Sequence, residues 1–477
     1  MNSARACTAA GCSHILLFIP RRKVSGHGML KTFHIRTYGC QMNERDSEAL
    51  GCLLEEHGYT LAPGEETADI LIFNTCSVRD QAERKVFGKV GLTKRLRRQR
   101  PEVIIGVIGC MAQEHGAALL ERFAHLDFVV GTDQLHTVPG IVAEIARERS
   151  RRVATETGAD DTEALSGHRP GAVSAFVSVM RGCNQFCSYC VVPQVRGRER
   201  SRLPEDVVRE VRQLAGQGTK EIFLLGQNIT AYGIAEARRD GTYSPDASPF
   251  ADLLRAVNDV PGVERIRFTS PHPKFMNQAF LDAVCELPKV CKAFHIPLQS
   301  GADRILELMH RGTTAKEYLA RIRHLRERLP EVGFSTDIIV GFPTETDVEF
   351  AATRQAMNEA GFDMAYIFKY SPRPGTKAAE KLPDDVPQSV KEERNQILLA
   401  DLVARAESAN TRYQGRTVRV LVEGESKRNS TRWTGRSDTN KVCIFPRTDG
   451  MQPGDLVDVV ITRTTANSLF GCVAEEA

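Results

Sequence analysis

The sequence predicts an α/β protein in three parts: an N-terminal doubly wound parallel sheet, a central partial (β/α)6 TIM-like barrel and a small OB-like C-terminal β-barrel. Between residues 31 and 147, short apolar strands alternate with helical segments, which is typical of a parallel sheet. From Ala175 to Phe368, six further strand-like runs are separated by helical patterns, which favours a barrel. From Gly415 onward the pattern changes to short alternating strands, which indicates a small closed barrel.

These patterns also divide the chain into segments. The predicted N-terminal strands are residues 32–38, 70–73, 103–107 and 128–130, with helices at 44–57 and 81–98. The predicted central strands are residues 175–179, 221–225, 263–268, 292–297, 333–340 and 363–368, and a charged helix over 383–410 follows them. We therefore expect a first domain over 31–147, a polar linker over 148–168, a barrel domain over 169–401 and a last domain over 404–475.

Composition excludes several classes of protein. The chain has 477 residues, a net charge of +3 and 13 cysteines. An odd number of cysteines over such a length does not fit a small secreted disulfide scaffold, and it favours metal ligation in a reducing compartment. No apolar run reaches the roughly 18–20 residues of a membrane span. Residues 1–30 suggest a disordered extension or a mis-called start ahead of Met29, with an organellar presequence as the alternative.

The strongest single motif is a CxxxCxxC loop formed by Cys183, Cys187 and Cys190, just after the first barrel strand. Three closely spaced thiolates fit an iron–sulfur cluster, and a four-iron cluster with three ligands keeps one iron open. This is the arrangement of radical S-adenosylmethionine enzymes, whose open iron binds the cofactor. A zinc site is the alternative, but zinc usually pairs CxxC with a distant second CxxC or with histidines, and the chain has no second CxxC.

Three other cysteines follow predicted strands of the first domain. Cys40, Cys76 and Cys110 each lie just past a strand, beside a glycine or a polar residue. Because ligands collect at the carboxyl ends of parallel strands, these loops can bring the three thiols together as a second metal site. The alternative is three buried core cysteines.

Polar and glycine-rich loops follow the other barrel strands. Glycine lets a backbone approach a ligand closely, and amides or hydroxyls can bind a ribose or an amino acid. The candidate cofactor-binding residues are Gly226, Gln227, Asn228, Ser335, Asp337 and Gly341. His272 and His295 are read as packing or hydrogen-bonding residues before catalytic ones.

Two segments are candidates for nucleic-acid contact. Residues 79–100 carry nine Lys or Arg against two acidic residues, a local net charge of +7 that fits either a solvated face or a phosphate backbone. Near the C-terminus, Arg432, Trp433 and Arg436 are predicted to lie in one loop region. Arginine beside an aromatic ring suits single-stranded RNA, although Trp433 can equally be a core residue.

At this point the motifs resemble the methylthiotransferase family of radical S-adenosylmethionine enzymes, over about residues 31–475. The Gln-Met-Asn after Cys40 and the Ser-Val-Arg after Cys76 resemble the branch that modifies a prenylated adenosine of tRNA. Sister branches act on a ribosomal protein aspartate or on threonylcarbamoyl-adenosine, and an RNA-binding protein with structural clusters is a further alternative. The motifs that carry the resemblance are Tyr38-Gly39-Cys40-Gln41-Met42-Asn43, Asn74-Thr75-Cys76-Ser77-Val78-Arg79, the Arg181-Gly182-Cys183 loop to Arg196-Gly197, Leu225-Gly226-Gln227-Asn228 and Ile339-Val340-Gly341-Phe342-Pro343.

The resemblance implies an activity and its cofactors. A [4Fe-4S] cluster on Cys183, Cys187 and Cys190 would reduce S-adenosylmethionine and so generate the radical that takes hydrogen from carbon 2 of the base. A second [4Fe-4S] cluster, on the other three cysteines, would carry the sulfur. A second S-adenosylmethionine would supply the methyl group. The product would be a 2-methylthio group on N(6)-dimethylallyladenosine at position 37 of tRNA, next to the anticodon.

The resemblance also implies partners. The last domain resembles the TRAM module, which binds RNA, so tRNA is the expected macromolecular partner. An external electron donor such as a flavodoxin-type reductant is expected, whereas the sulfur donor is not indicated. We further expect a monomer in the cytoplasm with no membrane contact.

Overall fold

The computed structural model describes residues 32–77, 80–158 and 167–474. The segment 1–30, predicted as an extension or a mis-called start, lies outside the described residues. The described chain forms an N-terminal sheet domain, a central partial barrel and a C-terminal closed barrel. The α/β architecture predicted from the sequence is thereby confirmed.

The N-terminal domain is built on a six-stranded sheet in which every neighbouring pair of strands is parallel. The spatial order β2-β1-β3-β4-β5-β6 begins in the flavodoxin-like manner, so the strand order reverses between β1 and β3. The strands are β1 (Thr32–Tyr38), β2 (Thr60–Leu61), β3 (Ile70–Thr75), β4 (Ile104–Gly109), β5 (Phe128–Val130) and β6 (Arg152–Ala154). The helices are α1 (Gln41–Glu56), α2 (Asp80–Gln99), α3 (Cys110–His115), α4 (Ala117–Arg122) and α5 (Val138–Glu148).

The central strands of this sheet are buried on both faces, which explains their continuous apolar sequence. Ile70 and Ile72 pack in the core on one side of the sheet, whereas Leu71 and Phe73 pack in a separate core on the other side. Since successive side chains of a strand point to opposite faces, helices have to cover both.

Two edge strands were not predicted. Strand β2 has two residues, and β6 lies within the 148–168 stretch predicted as a linker, where it pairs in parallel with β5. The middle residue of β6, Val153, is 37% exposed, so this strand has no buried apolar run that a sequence reading could detect. The sheet therefore continues past its predicted end.

The central domain consists of two three-stranded parallel sheets, in the orders β11-β10-β7 and β12-β13-β14, which a bridge between Ile266 and Val290 connects. The six strands are β7 (Ser174–Ser178), β10 (Glu221–Leu225), β11 (Arg265–Phe268), β12 (Ala293–His295), β13 (Gly333–Val340) and β14 (Met364–Lys369). A short antiparallel pair consists of β8 (Met180–Arg181) and β9 (Arg200–Ser201). The helices are α6 (Val192–Val195), α7 (Pro204–Gly216), α8 (Ile234–Arg239), α9 (Pro249–Asn258), α10 (Gln278–Glu286), α11 (Asp303–Leu308), α12 (Ala315–Arg328), α13 (Asp347–Ala360), α14 (Lys377–Lys381) and α15 (Gln388–Asn410).

The C-terminal domain is a closed barrel in the order β15-β16-β17-β19-β18. Its strands are β15 (Thr417–Ser426), β16 (Asn429–Ser437), β17 (Val442–Pro446), β18 (Leu456–Thr464) and β19 (Ser468–Val473). The prediction that Trp433 lies in a loop is wrong, because this residue lies within β16 and its side chain is buried in the barrel core. Along β16, exposed polar residues such as Arg432 alternate with residues that point into the barrel. Because few of these residues are apolar, the sequence pattern does not indicate a strand.

The C-terminal barrel is attached at the amino ends of the central strands. Arg265, the first residue of β11, donates to the backbone carbonyls of Arg436 (2.6 Å) and Arg419 (3.1 Å). Lys441 forms an ion pair with Asp363, one residue before β14 (2.6 Å). The CxxxCxxC loop follows the carboxyl end of β7, so the two features lie at opposite ends of the central barrel.

Candidate active site

The three N-terminal cysteines leave the sheet at one edge. Tyr38 at the end of β1 is paired with Thr75 at the end of β3, and Thr75 is paired with Gly109 at the end of β4. Cys76 and Cys110 follow these paired residues directly, and Cys40 follows one residue later. The structure therefore places Cys40, Cys76 and Cys110 together at the carboxyl edge, with Cys40 and Cys76 on either side of the point where the strand order reverses.

Two asparagine side chains lock this edge. Asn43 Nδ2 donates to Asn74 Oδ1 (3.0 Å), and Asn74 Nδ2 donates to the carbonyl of Asn43 (2.9 Å). A Cβ atom at Gly39 would lie 2.4 Å from Asn43 Oδ1, so only glycine fits beside this pair. The loop that carries Cys40 is thus held against the end of β3.

The three thiols differ in acidity. The pKa of Cys40 falls to about 6, because the Cys76 thiol hydrogen-bonds to it and the Arg196 guanidinium lies close by, which together outweigh its burial. Cys40 is also the N-cap of α1, where backbone N–H groups favour a thiolate. Burial instead raises the pKa of the Cys110 thiol. Cys40 therefore forms a thiolate more readily than Cys110, and the thiolate is the form that binds soft metals.

The CxxxCxxC loop has a backbone that fixes its cysteines. Gly182 has φ +79°, and a Cβ atom there would lie 2.0 Å from the carbonyl oxygen of Arg198. Further along, the Cys190 amide donates to the Cys187 carbonyl (3.0 Å). Burial raises the pKa values of Cys183 and Cys190 to about 12 each.

A buried arginine accompanies this loop. Arg311 is 4% exposed, and its Nη1 lies 3.5 Å from Cys187 Sγ while its Nη2 donates to the carbonyl of Pro297 (2.8 Å). Its positive charge faces the thiols, so it favours their thiolate forms. No sequence motif had pointed to this residue.

The two cysteine sets are neighbours across a short helix, which the sequence did not predict. Helix α6 begins two residues after Cys190, and Val191 and Val195 pack directly against Cys110. Thr132 of the first domain also donates to the carbonyl of Val195 (2.7 Å). The sheet edge that carries one set therefore contacts the loop that carries the other.

One carboxylate joins the two loops. Asp46 of α1 is completely buried, and it accepts from Arg181 Nη2 (2.9 Å) and from Arg196 Nη1 (2.7 Å). These arginines stand on either side of the CxxxCxxC cysteines in the chain. The pKa of Asp46 is lowered, because the two guanidinium groups outweigh the cost of its burial.

Gln227 and Asn228 support the cysteine loop. Gln227 Oε1 accepts from the Gly182 amide (2.6 Å), and Asn228 Nδ2 lies 3.4 Å from Glu199 Oε1, which in turn accepts from the Asn184 amide (2.9 Å). Gly226 is packed against Met180, whose Cγ would lie 2.6 Å from an added Cβ.

Ser335 and Asp337 share a polar network inside the barrel. His295 Nδ1 lies 3.0 Å from Ser335 Oγ, and its Nε2 lies 3.3 Å from Asp337 Oδ2. The ring of Tyr366, which is 40% exposed, stands edge-on to His295 at 5.9 Å. Phe368 stacks on Tyr366 at 6.5 Å, so an aromatic wall that the sequence analysis missed adjoins these two residues.

Gly341 and His272 have local structural roles. Gly341 has φ +67°, and a Cβ atom there would lie 2.3 Å from Cγ of the buried Lys391. His272 caps a short turn, since its Nδ1 accepts from the Lys274 amide (3.3 Å), and burial lowers its pKa.

The donor sets suit clusters better than a single ion. Within the described residues, no group of three or more His, Cys, Asp or Glu side chains is arranged to hold one metal ion. A four-iron cluster places each thiolate on its own iron, so its ligands do not converge on one point. Two sets of three thiols, each accompanied by a buried arginine, match this requirement.

Comparisons with known proteins agree with the three-part architecture. Residues 32–131 match the model of the uncharacterized protein family UPF0004, residues 177–357 match the radical SAM superfamily, and residues 411–474 match the TRAM domain. A radical SAM methyltransferase from Kitasatospora setae, TsrM, solved with cobalamin and a [4Fe-4S] cluster, has a similar fold. Its TM-score is 0.53 at 16% identity, over 74% of this chain and 77% of that one.

Sequence relatives give a closer match. A protein from Opitutus terrae is 43% identical over 92% of this chain and 96% of its own length. A protein from Bordetella bronchiseptica is 42% identical over 95% of this chain and 94% of its own length. Both are named tRNA-2-methylthio-N(6)-dimethylallyladenosine synthase. None of the helices in the described ranges has a stretch apolar and long enough to span a membrane. This chain belongs to the methylthiotransferase family of radical S-adenosylmethionine enzymes, in the group that contains these tRNA-modifying synthases.

Proposed function

We propose that this chain adds a 2-methylthio group to N(6)-dimethylallyladenosine at position 37 of tRNA, next to the anticodon. The observation that carries the proposal is the contact of Cys110, from one three-cysteine set, with Val191 and Val195, which directly follow the other set, in a chain 43% identical to synthases of this name. Methylthio transfer needs both a radical at the base and a sulfur source within reach of it. Two adjacent thiol sets satisfy that need.

We infer that Cys183, Cys187 and Cys190 hold the first [4Fe-4S] cluster and that Cys40, Cys76 and Cys110 hold the second. When bound, the first supplies the electron that cleaves S-adenosylmethionine, and the second supplies the sulfur. Two S-adenosylmethionine molecules are consumed, one for hydrogen abstraction and one for the methyl group. Arg311 and Arg196 place a positive charge beside each thiolate set and so offset its negative charge in a buried site.

The residues around the first set divide into two roles. Ser335 and Asp337 present a hydroxyl and a carboxylate to the barrel interior and would bind the hydroxyls and ammonium group of S-adenosylmethionine. Gln227 would act indirectly on the cofactor, because its side chain accepts a hydrogen bond from the Gly182 amide and so holds the backbone of the cysteine loop. Gly226 and Gly341 shape the same rim because a side chain packs closely on each backbone, and Asn228 contacts Glu199 beside the cysteine loop.

The aromatic wall is a suitable platform for the target base. Tyr366 and Phe368 project from β14 toward the same interior as Asp337, and Tyr366 is partly exposed. Adenine and a prenyl chain both pack favourably on aromatic rings, with base stacking worth about 1–3 kcal/mol. The wall would hold the base against the cofactor while the rest of the tRNA remains outside.

Two further surfaces fit the tRNA backbone. Helix α2 exposes Lys85, Lys89, Lys94, Arg95 and Arg98, and within the described residues none of them is paired with a carboxylate. The C-terminal barrel exposes Arg432 on its outer surface. The reaction consumes an electron, and we expect an external donor, such as a flavodoxin-type reductant, to supply it. We expect the enzyme to act as a monomer in the cytoplasm, where the tRNA is found.

The decisive experiment is mass spectrometry of tRNA nucleosides from a strain that lacks this gene. Loss of the 2-methylthio group, with the dimethylallyl group retained, is the expected result. Complementation should fail with Cys183→Ala and with Cys76→Ala, and should succeed with Cys472→Ala, an exposed cysteine outside both sets. An unchanged nucleoside profile together with a lost modification on a ribosomal protein would overturn the proposal in favour of the sister activity.

A further inference from the structure

Arg196 has an unusual position between the two cysteine sets. It immediately follows α6, and its side chain is only 3% exposed. Its Nη1 donates to Asp46 Oδ2 (2.7 Å), but its Nη2 is buried and has no oxygen or nitrogen acceptor within the described residues, while the Arg196 side chain hydrogen-bonds to the Cys110 thiol. Buried polar groups are nearly always hydrogen-bonded, so this N–H is available to a sulfur acceptor at the position of Cys110.

The surroundings of Arg196 identify where that acceptor would lie. Besides Asp46, the thiols of Cys110 and Cys40 lie close enough to its guanidinium to raise its pKa. Val195, the preceding residue, packs against Cys110. Arg196 therefore belongs to the radical SAM domain by sequence, but its side chain faces the cysteines of the N-terminal domain.

Arg181 provides a contrast. It donates to the other oxygen of the same carboxylate, Asp46 Oδ1 (2.9 Å), and it is buried to a similar degree, with 9% of its side chain exposed. All of its nitrogens that are buried have a partner within the described residues, and it is not among the groups that most affect the pKa of Cys40 or Cys110. The two arginines thus share one anchor but differ in what they face.

We propose that Arg196 Nη2 donates a hydrogen bond to sulfur of the group held by Cys40, Cys76 and Cys110. Arg196 would act as a positioning residue that the radical SAM domain contributes to the site of the N-terminal domain. The proposal rests on the second cluster described under the proposed function. A planar guanidinium fixed by a buried carboxylate at one nitrogen holds its other nitrogen in a defined direction. Hydrogen bonds to cluster sulfurs raise the reduction potential, since they stabilise the more negative reduced form.

The test is a redox titration of the full-length holoenzyme followed by electron paramagnetic resonance. The signal of the second cluster is assigned by its loss in Cys76→Ala. Arg196→Gln should shift the midpoint potential of that signal to a lower value, with iron content retained. The matched control is Arg181→Gln, which also removes one arginine from Asp46 and should leave the potential of that signal unchanged. Arg196→Lys keeps a charge but loses the forked geometry, so a smaller shift in the same direction is expected.

Activity provides a second readout. Loss of a partner that supports metal ligands typically costs about 10- to 100-fold in activity, so Arg196→Gln should slow methylthio transfer by that factor. It should not slow cleavage of S-adenosylmethionine measured without tRNA. Equal shifts in Arg196→Gln and Arg181→Gln, or no shift in Arg196→Gln and Arg196→Lys, would overturn the inference. A wild-type enzyme that loads only one cluster would instead refute the proposed second site, so the two failures are distinguishable.

Discussion

Arg267 and Glu221 form an ion pair at the base of the central barrel, with 2.7 Å between Nε and Oε2 and with both side chains about 95% buried. The remaining nitrogens of Arg267 donate to the backbone carbonyls of Ser437 (2.7 Å) and Asp438 (3.1 Å) in the C-terminal barrel. This arginine thus connects two strands of the central domain with the turn after β16. The C-terminal domain closes the amino end of the barrel in addition to any contact that it makes with RNA.

The first prediction concerns this ion pair. Arg267→Met leaves the buried Glu221 carboxylate without its charged partner, with the Ser174 hydroxyl still donating to it (2.9 Å), and breaking such a pair typically costs about 3–5 kcal/mol. Urea unfolding of the purified chain should show this loss, and Glu221→Gln combined with Arg267→Met should recover part of it. If the double variant is less stable than Arg267→Met, the pair is not the source of the effect.

The second prediction separates two neighbouring residues of β16. Trp433 is buried in the barrel core, so Trp433→Ala should destabilise the C-terminal domain by about 3–5 kcal/mol. Arg432 is exposed on the same strand, so Arg432→Ala should weaken tRNA binding and leave thermal stability unchanged. Thermal unfolding beside tRNA affinity distinguishes them, and a stable Trp433→Ala chain with reduced affinity would restore the base-stacking role for this residue.

The third prediction concerns iron content. Anaerobic reconstitution should load about eight irons per chain, because each [4Fe–4S] cluster takes three thiolates here and keeps one iron open. Replacing Cys183, Cys187 and Cys190 together by alanine should leave about half of the iron, and so should the equivalent change at the other three cysteines. Cys472→Ala serves as the control and should retain all of it. Complete loss of iron in either triple variant would contradict two independent sites.

The fourth prediction tests the exposed basic face of α2. Lys85→Gln combined with Lys89→Gln should reduce tRNA affinity and flatten its salt dependence, by about 0.7–0.9 log units per tenfold salt for each lost phosphate contact. The control is Lys316→Gln with Arg323→Gln, which removes two exposed charges from α12. Equal effects of the two pairs would mean that only total charge matters.

The fifth prediction concerns pH. His168 lies between Glu210 of α7 (2.6 Å) and Glu48 of α1 (3.4 Å), with Arg45 and Arg202 also close to these carboxylates. Burial alone would lower the pKa of His168, but the hydrogen bond to Glu210 and the nearby Glu48 carboxylate outweigh it and raise the pKa. A raised pKa contributes stability that is complete below the ordinary value of about 6.5 and is lost as the pH rises through the folded-state value.

The melting temperature should therefore fall as the pH increases above about 6.5, and His168→Gln should remove that part of the decrease. Glu48 and Glu210 have the opposite effect. Their pKa values are lowered, so their contribution to stability is present at neutral pH and is lost in acid. A variant with the same pH profile as the wild type would show that His168 does not titrate in this range.

A feature of the fold or the site could be predicted from the sequence where neighbouring residues alone determine it. The CxxxCxxC loop is contained in eight residues, and strand ends in a parallel sheet converge by geometry, so both cysteine sets were predictable. The contact between Cys110 and Val191 joins residues that are distant in the chain, and no periodic pattern encodes it. Trp433 was misplaced because an arginine-rich strand with one buried aromatic residue resembles a loop.

The position of Asp46 has a consequence for how the molecule is made. Its partners Arg181 and Arg196 follow it by 135 and 150 residues, so neither exists when α1 leaves the ribosome. At the usual rate of synthesis this interval lasts roughly 8–30 s, and N-terminal domains fold first. The edge with Cys40, Cys76 and Cys110 is complete once Cys110 is made, 86 residues before Arg196. For roughly 4–17 s it is therefore not covered by the second domain, and translation itself leaves a window in which iron can reach it.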